Sequence, residues 1–572
     1  MKCILLTVLS AIALLQNPVS LVDAVMYLTG ADDVSEISQE DFEQYGRLSE
    51  SPLRINRQTR SGLLSSGLFS SYQAASILDY RNRCGDILSA AELSSVDGFN
   101  RMAVSYMSLF IDFSPAAATG AGGKSGKVFS GQACAGGGVK VADGEGAGQW
   151  FGKMEASAAP SGGSRGIWDF SIAGKSPWSR PLSLPEEAGW SVSYSGTRHL
   201  SRVVAGCYNA RFGQGLCVWN GMQINSLSTA SALMKRPVGI KPYTSYSPSY
   251  ARFGAAAQMD FGHISVSVFG DIGPMADMVS NASAGTNIAW NHANGEIGIS
   301  AVVPFNSPGR CSIGLDFQHT VKATVLYGEI AKQDSTLAFI SGIKAEKGSM
   351  EYGARLSCTA HEKNVTGALS WLSSSRVHSI SSAASLSYFT SAKGETPKGG
   401  MQVKTVNTYK AAAACGLTAT TRITARWRNW GAVQKYDLRQ DLRWERGPVA
   451  ATARFNAAYC TALSALSYVE SGYKSPSGKH RLNVFVQAGV FIADNWDDRL
   501  YVYQRDAPQN FNVCAMYGRG WWASLYSEYA MERRLKLYLR ANWTAYPWAR
   551  ARENDTRRRP SLSARMQAIW SF

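Results

Sequence analysis

The stretch Ser561-Leu-Ser-Ala-Arg-Met-Gln-Ala-Ile-Trp-Ser-Phe572 decides the fold class, because apolar and polar residues alternate along it. The even-numbered positions are apolar: Leu562, Ala564, Met566, Ala568, Trp570 and Phe572. The odd-numbered positions are polar except for Ile569. Successive side chains of a strand point to opposite faces, so the stretch predicts a strand with one apolar face. That face would cover the core of a soluble sheet or meet the lipid around a membrane barrel.

The amino terminus bears on the choice between a soluble sheet and a membrane barrel. Residues 1–24 have the pattern of a secretory signal peptide, with Lys2 at the start, an apolar run and a small residue, Ala24, at the cleavage position. No other stretch contains the roughly 18 apolar residues of a transmembrane helix. We therefore expect an exported protein that is either soluble or a membrane barrel.

Composition and repetition favour the barrel. Charged residues make up 17% of the chain and aromatic residues 11%, including 16 Trp and 25 Tyr, as expected when lipid-facing and lumen-facing side chains alternate between aromatic girdles. The alternation recurs throughout residues 128–572, for example at 481–492 and 535–545. The length predicts about 18–20 antiparallel strands, and the even number expected of bacterial barrels places both chain termini in the periplasm.

A strand that ends on Phe572 resembles the closing strand of Gram-negative outer-membrane proteins. This resemblance implies an outer-membrane location, with membrane lipid and the barrel-assembly machinery as partners. The fold class is therefore predicted as mainly β, a large antiparallel outer-membrane β-barrel preceded by a small all-α domain.

Two regions precede the barrel. Residues 25–50 are acidic and are predicted to be flexible. Residues 51–112 have a helical period and predict four short helices in two hairpins, followed by a small-residue linker at 113–127. The predicted helix starts include Ser70, Ser89 and Asn100. Gly85 is predicted to end the helix that Ser70 begins.

Residues 53–112 resemble the tandem helix-hairpin-helix domain of ComEA, the DNA receptor of natural competence. The matching positions are Ile55-Asn56, Thr59, Ala74, Ile77 to Arg81, Gly85, Ser89, Leu93, Val96 and Gly98-Phe99. In that family, backbone N–H groups at a helix start hold DNA phosphates without reading sequence. The resemblance implies a nucleic-acid-binding site at Phe69, Ser70, Arg81, Arg83, Gly98, Phe99, Asn100 and Arg101.

The match to that family is incomplete. The first hairpin, Leu68-Phe69-Ser70, lacks both glycines of the motif, and the second keeps only Gly98. Residues 25–115 carry seven arginines, no lysine and twelve acidic residues, a net charge of −5, whereas a DNA-binding module is normally basic. Docking to a periplasmic protein, or plugging the barrel lumen, therefore stays open beside DNA binding.

The β-region has a resemblance of its own. Its segments Val203 to Leu216, Gly239 to Tyr243, Leu500 to Asp506 and Tyr517 to Gly520 resemble a family of exported Bacteroidetes proteins that join a helix-hairpin-helix to a long β-region. Residues 116–572 carry 50 Lys and Arg against 29 Asp and Glu, a net charge of +21. This charge suits either lumen and rim residues that face lipopolysaccharide phosphates or a path for anions or nucleic acid.

Three function classes follow. The leading hypothesis is a non-enzymatic outer-membrane barrel with a periplasmic helical module that binds or passes DNA without sequence specificity. The alternative is a structural, assembly or transport barrel whose helices dock a periplasmic protein or plug the lumen. A lipid hydrolase is the third. The seven His and the nine Cys beyond the signal are scattered, so we predict no catalytic residue, no cofactor and no metal site.

Overall fold

The computed structural model describes residues 19–572 with gaps. The gaps are residues 32–33, 117–127, 143, 160–165, 197–198, 222–229, 247–250, 273–281, 293, 335, 348, 360–363, 376, 392–397, 414, 431–433, 477, 509, 533 and 549–558. Residues 1–18 of the predicted signal peptide and most of the predicted linker at 113–127 thus lie outside the described residues. Among the described helices, none combines the length and apolar character needed to cross a membrane.

A closed antiparallel barrel of 24 strands forms most of the molecule. Its strands are β3 (Val128–Ala142), β4 (Glu145–Ala159), β5 (Gly166–Lys175), β6 (Glu187–Gly196), β7 (Leu200–Arg211), β9 (Arg252–Phe261), β10 (Ile264–Asp271), β11 (Ser283–His292), β12 (Gly295–Pro304), β13 (Ser312–Val321), β14 (Thr324–Gln333), β15 (Thr336–Lys347), β16 (Met350–Thr359), β17 (Asn364–Ser374), β18 (His378–Ser391), β19 (Lys398–Ala412), β20 (Leu417–Arg428), β21 (Gln434–Arg446), β22 (Val449–Tyr459), β23 (Leu463–Lys474), β24 (His480–Ala493), β27 (Gly518–Met531), β28 (Leu535–Ala545) and β29 (Ser561–Ser571). The predicted barrel is confirmed, but the count of 18–20 was too low, because many strands are only about ten residues long and many turns are short.

The terminal strand closes the ring as its alternation predicts. β29 pairs with β28 on one side and with the first barrel strand, β3, on the other. Its apolar residues Leu562, Met566 and Trp570 are 50–67% exposed on the outer surface. Ile569, the exception on the polar face, is 1% exposed and joins a buried cluster on the lumen side.

The outer surface is that of a membrane barrel. Along β13, Ile313, Leu315 and Phe317 are exposed, whereas Asp316 and Gln318 between and beside them are buried in the interior. Exposed aromatic residues form two girdles. At the end that holds Phe572 they include Phe261, Trp290, Tyr409, Trp444, Tyr473, Tyr529 and Trp570, and at the opposite end Trp190, Tyr388, Trp427, Tyr436, Tyr459 and Trp543. The protein is therefore an outer-membrane barrel.

Turn lengths orient the barrel. At the Phe572 end, several turns have only two residues, as at 262–263, 322–323 and 447–448. The opposite end carries longer connections, such as 176–186 and 546–560. Bacterial barrels have short periplasmic turns and longer extracellular loops, so the Phe572 end faces the periplasm.

Among the described residues, six α-helices precede the barrel strands, and a seventh lies in the connection between β7 and β9. They are α1 (Leu21–Thr29), α2 (Gln39–Glu50), α3 (Arg60–Ser65), α4 (Ser71–Cys84), α5 (Ala90–Leu93), α6 (Arg101–Met107) and α7 (Ala230–Leu233). The short strands β1 (Leu53–Arg54) and β2 (Ile111–Asp112) pair in parallel and tie together the two ends of the segment that holds α3 to α6. The predicted caps at Ser70, Ser89 and Asn100 are confirmed, and Gly85 ends α4.

We call residues 19–116 the helical region. Its apolar side chains form one core of their own, which runs from Ala24 in α1 through Phe42 in α2 to Phe110. Residues 25–50 therefore differ from the predicted flexible segment, because α2 buries Phe42 and Tyr45 against the other helices. The predicted signal boundary after Ala24 falls inside α1, where Ala24 and Val25 are fully buried.

Two connections at the extracellular end fold inward. The first inserted loop, described at residues 212–221, 230–246 and 251, includes α7 and β8 (Gly239–Pro242), and β8 pairs with the end of β7. The second inserted loop, described at residues 494–508 and 510–517, contains the hairpin of β25 (Leu500–Tyr503) and β26 (Val513–Met516). Their apolar residues, such as Ile240, Tyr246 and Val502, are buried.

Candidate functional site

The helical region lies inside the barrel lumen. Its polar side chains bond to wall residues that lie on β4, β7, β12, β16, β19, β21 and β28, strands distributed around the whole ring. This corrects one part of the predicted location: the barrel is in the outer membrane, but the helices are not beside it in the periplasm. A lumen of 24 strands is wide enough for them.

One buried ion pair fixes the start of α2. Arg211 is the last residue of β7. Its guanidinium donates to both carboxylate oxygens of Glu40 at 2.9 Å. The amide of Asn209 donates to the same carboxylate, and Asn220 donates to Asn209 at 2.5 Å. Burial raises the pKa of Glu40, against the opposing effect of Arg211. We call this group the Glu40 latch.

A second charged group lies one turn further along α2. Lys153 on β4 is 3.8 Å from Glu43 and 3.2 Å from Glu155, and Arg47 donates to Glu155 at 2.9 Å. Ser245 of the first inserted loop donates to Glu43 at 3.1 Å. Burial raises the pKa of Glu43, and the nearby Lys153 and Arg47 oppose that rise. The four charges alternate in sign, so each carboxylate has a cation beside it.

The opposite side of α2 meets the second inserted loop through aromatic rings. The Phe42 ring lies 4.7 Å from Phe511 and 6.0 Å from Tyr503. A side chain added at Gly46 would come within 3.0 Å of the carbonyl oxygen of Pro508. The helix α2 is therefore held on one side by charged residues of the wall and Ser245 of the first inserted loop, and on the other side by aromatic packing against the second inserted loop.

Each inserted loop is anchored to the wall in turn. The backbone N–H groups of Gln214, Leu216 and Cys217 donate to the Glu329 carboxylate on β14 at 2.6–3.0 Å. In the second loop, Arg505 donates to Glu470 at 2.9–3.0 Å. These contacts hold both inserted loops against the lumen face of the wall.

The helices nearer the periplasm contact the wall through polar groups. Arg60 and Ser71 both donate to the Glu296 carboxylate on β12, at 3.0 and 2.9 Å. Asn100 donates to Glu351 on β16 at 2.6 Å. The wall therefore presents carboxylates to the helix starts of this half of the helical region.

The residues of the predicted nucleic-acid site have mixed surroundings. Phe69 and Ser70 of the first hairpin are buried, and Ser70 forms a capping box with Gln73. Gly98 has the left-handed φ of 83°, and its carbonyl accepts a hydrogen bond from Gln73. Asn100 caps α6, beside the Glu351 carboxylate. A phosphate at this hairpin would therefore meet a negative charge.

The predicted arginines do not converge on that hairpin. Arg81 donates to the carbonyl oxygens of Ile55 and Gln58 within the helical region. Arg83 pairs with Asp79 on an exposed face, and Arg101 is exposed. No contact tests DNA binding itself, which stays a prediction.

A cavity of about 530 Å³ separates the second hairpin from the wall near the periplasmic turns. Its lining includes Gly98 and Phe99 from the helical region, and the cations Arg236, Lys322 and Lys344 with the acids Asp97 and Glu346. Because its lining carries both positive and negative side chains, the cavity has no preference for anions. Within the described residues, no group of three or more His, Cys, Asp or Glu side chains could hold a metal ion.

The sequence reading missed the residues of the α2 contacts, above all Glu40, Glu43 and Arg211. One signal was present, because residues 25–50 are acidic and residues 116–572 are strongly basic. The capping pattern at Ser38, which accepts a hydrogen bond from the Asp41 backbone, also marks the start of α2. Together these signals could have predicted an ordered acidic helix in a basic lumen.

No known protein-family model and no curated protein matches this chain. Among solved structures, the FrpB iron transporter from Neisseria meningitidis aligns at 8% identity over 78% of this chain and 82% of its own, with a TM-score of 0.41. The P pilus usher PapC translocation pore aligns at 7% identity over 78% and 99%, with a TM-score of 0.37. OccK3 of Pseudomonas aeruginosa aligns at 8% identity over 78% and 95%, with a TM-score of 0.29. The outer-membrane assignment rests on the strand pairing and the lipid-facing surface described above.

Proposed function

We propose that this protein is a non-enzymatic outer-membrane conduit whose helical region plugs the lumen. The observation that carries the proposal is the nature of the plug–wall contact. The apolar core of the helical region is largely internal to it, whereas its contacts with the wall strands are mainly ion pairs and hydrogen bonds. A unit with its own core and a polar outer surface can leave a polar lumen without exposing much apolar area to water.

The substrate class that fits this lumen is anionic. Five wall cations pair with acidic residues of the helical region: Lys153 with Glu43, Arg211 with Glu40, Lys404 with Glu36, Arg443 with Asp23 and Lys536 with Glu50. Displacement of the helices would leave these five cations lining the path beside the three wall carboxylates Glu155, Glu296 and Glu351, which also contact the helical region. Rings of Lys and Arg select for anions in pores, and the DNA of the sequence hypothesis is one polymer of this class.

The test is conductance in planar lipid bilayers. The full-length protein is compared with a variant that lacks residues 25–112 and keeps the predicted signal and the barrel. Folding of both is checked by the change in gel migration on heating. We expect rare or small conductance steps from the full-length protein and large steps from the deletion variant, with a reversal potential in a KCl gradient that indicates chloride selectivity.

Each outcome decides part of the proposal. Equal conductance of the two proteins would contradict the plug. A folded deletion variant without conductance would contradict the conduit and favour the structural or docking alternative. Cation selectivity of the open variant would leave the conduit in place but exclude anions as its substrate class.

A further inference from the structure

The histidines that the structure describes occupy one rim of the barrel. The six His among the described residues all lie at the periplasmic ends of strands or in the turns there: His199, His263, His292, His319, His378 and His480. The seventh, His361, lies outside the described residues. His199, His263, His378 and His480 are exposed, and the other two are half-buried. No described residue at the extracellular rim is a histidine.

These rings lie among the lipid-facing aromatic residues of the same rim. His199 stacks on Phe261 with ring centroids 5.3 Å apart, and His292 stacks on Trp290 at 5.2 Å. The ring of His378 stacks on Tyr409 at 5.9 Å, and that of His480 on Tyr529 at 6.1 Å. The aromatic partners are 36–53% exposed on the outer surface. Aromatic girdles lie at the level of the lipid headgroups, so the imidazoles lie there too.

In His378 and His480, one ring nitrogen is hydrogen-bonded to a tyrosine hydroxyl and the other is available. Nδ1 of His378 is 2.8 Å from the Tyr409 hydroxyl, and Nδ1 of His480 is 2.9 Å from the Tyr529 hydroxyl. When the hydroxyl donates, Nδ1 accepts and the proton of the neutral ring is on Nε2. Neither Nε2 atom has a hydrogen-bond partner within the described part of the chain. Both rings can therefore present an N–H donor to the headgroup layer.

We propose that this histidine rim binds the phosphates of phospholipids in the periplasmic leaflet of the outer membrane. The Nε2–H groups of His378 and His480 donate to the phosphate oxygens, and the stacked tyrosines set the orientation of the rings. A phosphate is an acceptor with several oxygens, which suits an imidazole N–H donor. The surface is continuous with the apolar band that the lipid chains already cover, which places the lipid headgroups at the same level.

A metal ion explains the rim less well. His292 and His319 are close, with Nε2 2.9 Å from Nδ1, but that bond joins the two rings to each other. Among the described residues, no third ligand completes a metal site with them. The histidines are instead dispersed around the rim, as an annulus of lipid headgroups requires.

The experiment uses the full-length protein and native mass spectrometry. Wild type is released from micelles with added dioleoylphosphatidylglycerol, or with dioleoylglycerol, which has the same chains and no phosphate. The first variant is His378→Ala/His480→Ala, and the second, Tyr409→Phe/Tyr529→Phe, keeps the imidazoles but removes the hydroxyls that orient them. The control, Glu145→Ala/Gln434→Ala, changes two exposed strand starts at the opposite rim.

Wild type and control should retain phosphatidylglycerol in preference to diacylglycerol. The histidine variant should bind the phospholipid roughly threefold to tenfold more weakly, the effect of one or two lost hydrogen bonds in water. The tyrosine variant should show a smaller loss. All proteins should keep the heat-dependent gel migration of the folded barrel. Equal retention of the two lipids by wild type, or full phospholipid retention by the histidine variant, would overturn the proposal.

Discussion

The helical region and the barrel wall are stabilised in opposite ways. The helical region has an apolar core, in which Ile55, Leu63 and Phe69 are fully buried. The wall turns its apolar side chains outward to lipid, and its lumen face is polar, with Asn287 and Gln487 buried there. The two units meet mainly through charges. The contrast indicates that the helices are not held in the lumen by burial of apolar area against the wall. The helical region can therefore be destabilised separately from the wall.

The largest expected effect comes from the core of the helical region. Phe69 is fully buried and packs edge-on against Phe99 at a centroid distance of 6.0 Å. Phe69→Ala should destabilise the helical region by about 3–5 kcal/mol, the cost of removing a buried aromatic side chain. Limited proteolysis should then cut within residues 51–112, while the heat-dependent gel migration of the barrel stays unchanged.

The matched control is Leu88→Ala in the same region, because Leu88 is 56% exposed. Its effect should lie within about 0.5 kcal/mol of zero, as for most surface substitutions. If Phe69→Ala also unfolded the barrel, the two units would not be separable.

The contrast also explains what the sequence could predict. The alternation of the terminal strand from Ser561 and the helix cap at Ser70 can each be recognised from neighbouring residues alone. Both features are present in the structure. The Glu40 latch joins residues 171 positions apart in the chain. No short-range sequence pattern predicts that pairing, because it depends on where the end of β7 lies relative to α2 in the folded barrel. The lumen position of the helices likewise depends on the barrel width, which the strand number and the stagger of the strands set together.

A smaller effect is expected from the latch itself. In Glu40→Ala, Arg211 would stay buried without its carboxylate partner. Such a loss costs about 3–5 kcal/mol where the pair is well buried. The cost should be smaller here, because the Glu40 side chain is 17% exposed. The plug should leave the lumen more often, and the full-length channel should show larger or more frequent conductance steps than wild type. The barrel should remain folded.

Glu36→Ala provides the comparison for the latch. Glu36 and Lys404 are 3.6 Å apart with side chains 35% and 22% exposed, so this pair should contribute no more than about 1 kcal/mol. Its conductance should resemble that of wild type. If both variants opened the channel equally, charge in general rather than the latch would hold α2.

The smallest expected effect concerns Glu43 and pH. Burial raises the pKa of Glu43 in the folded protein above the value of about 4.3 for an exposed Glu. The folded state thus binds the proton more tightly than the unfolded state. The contribution of this group to stability is present below pH about 4.3 and is lost as the pH rises through the raised pKa. Glu43→Gln carries no such proton, so the melting temperature of wild type relative to this variant should fall as the pH rises above about 4.3. A difference that grows with pH would contradict the assignment, because it would mean that Lys153 and Arg47 outweigh burial and stabilise the charged carboxylate.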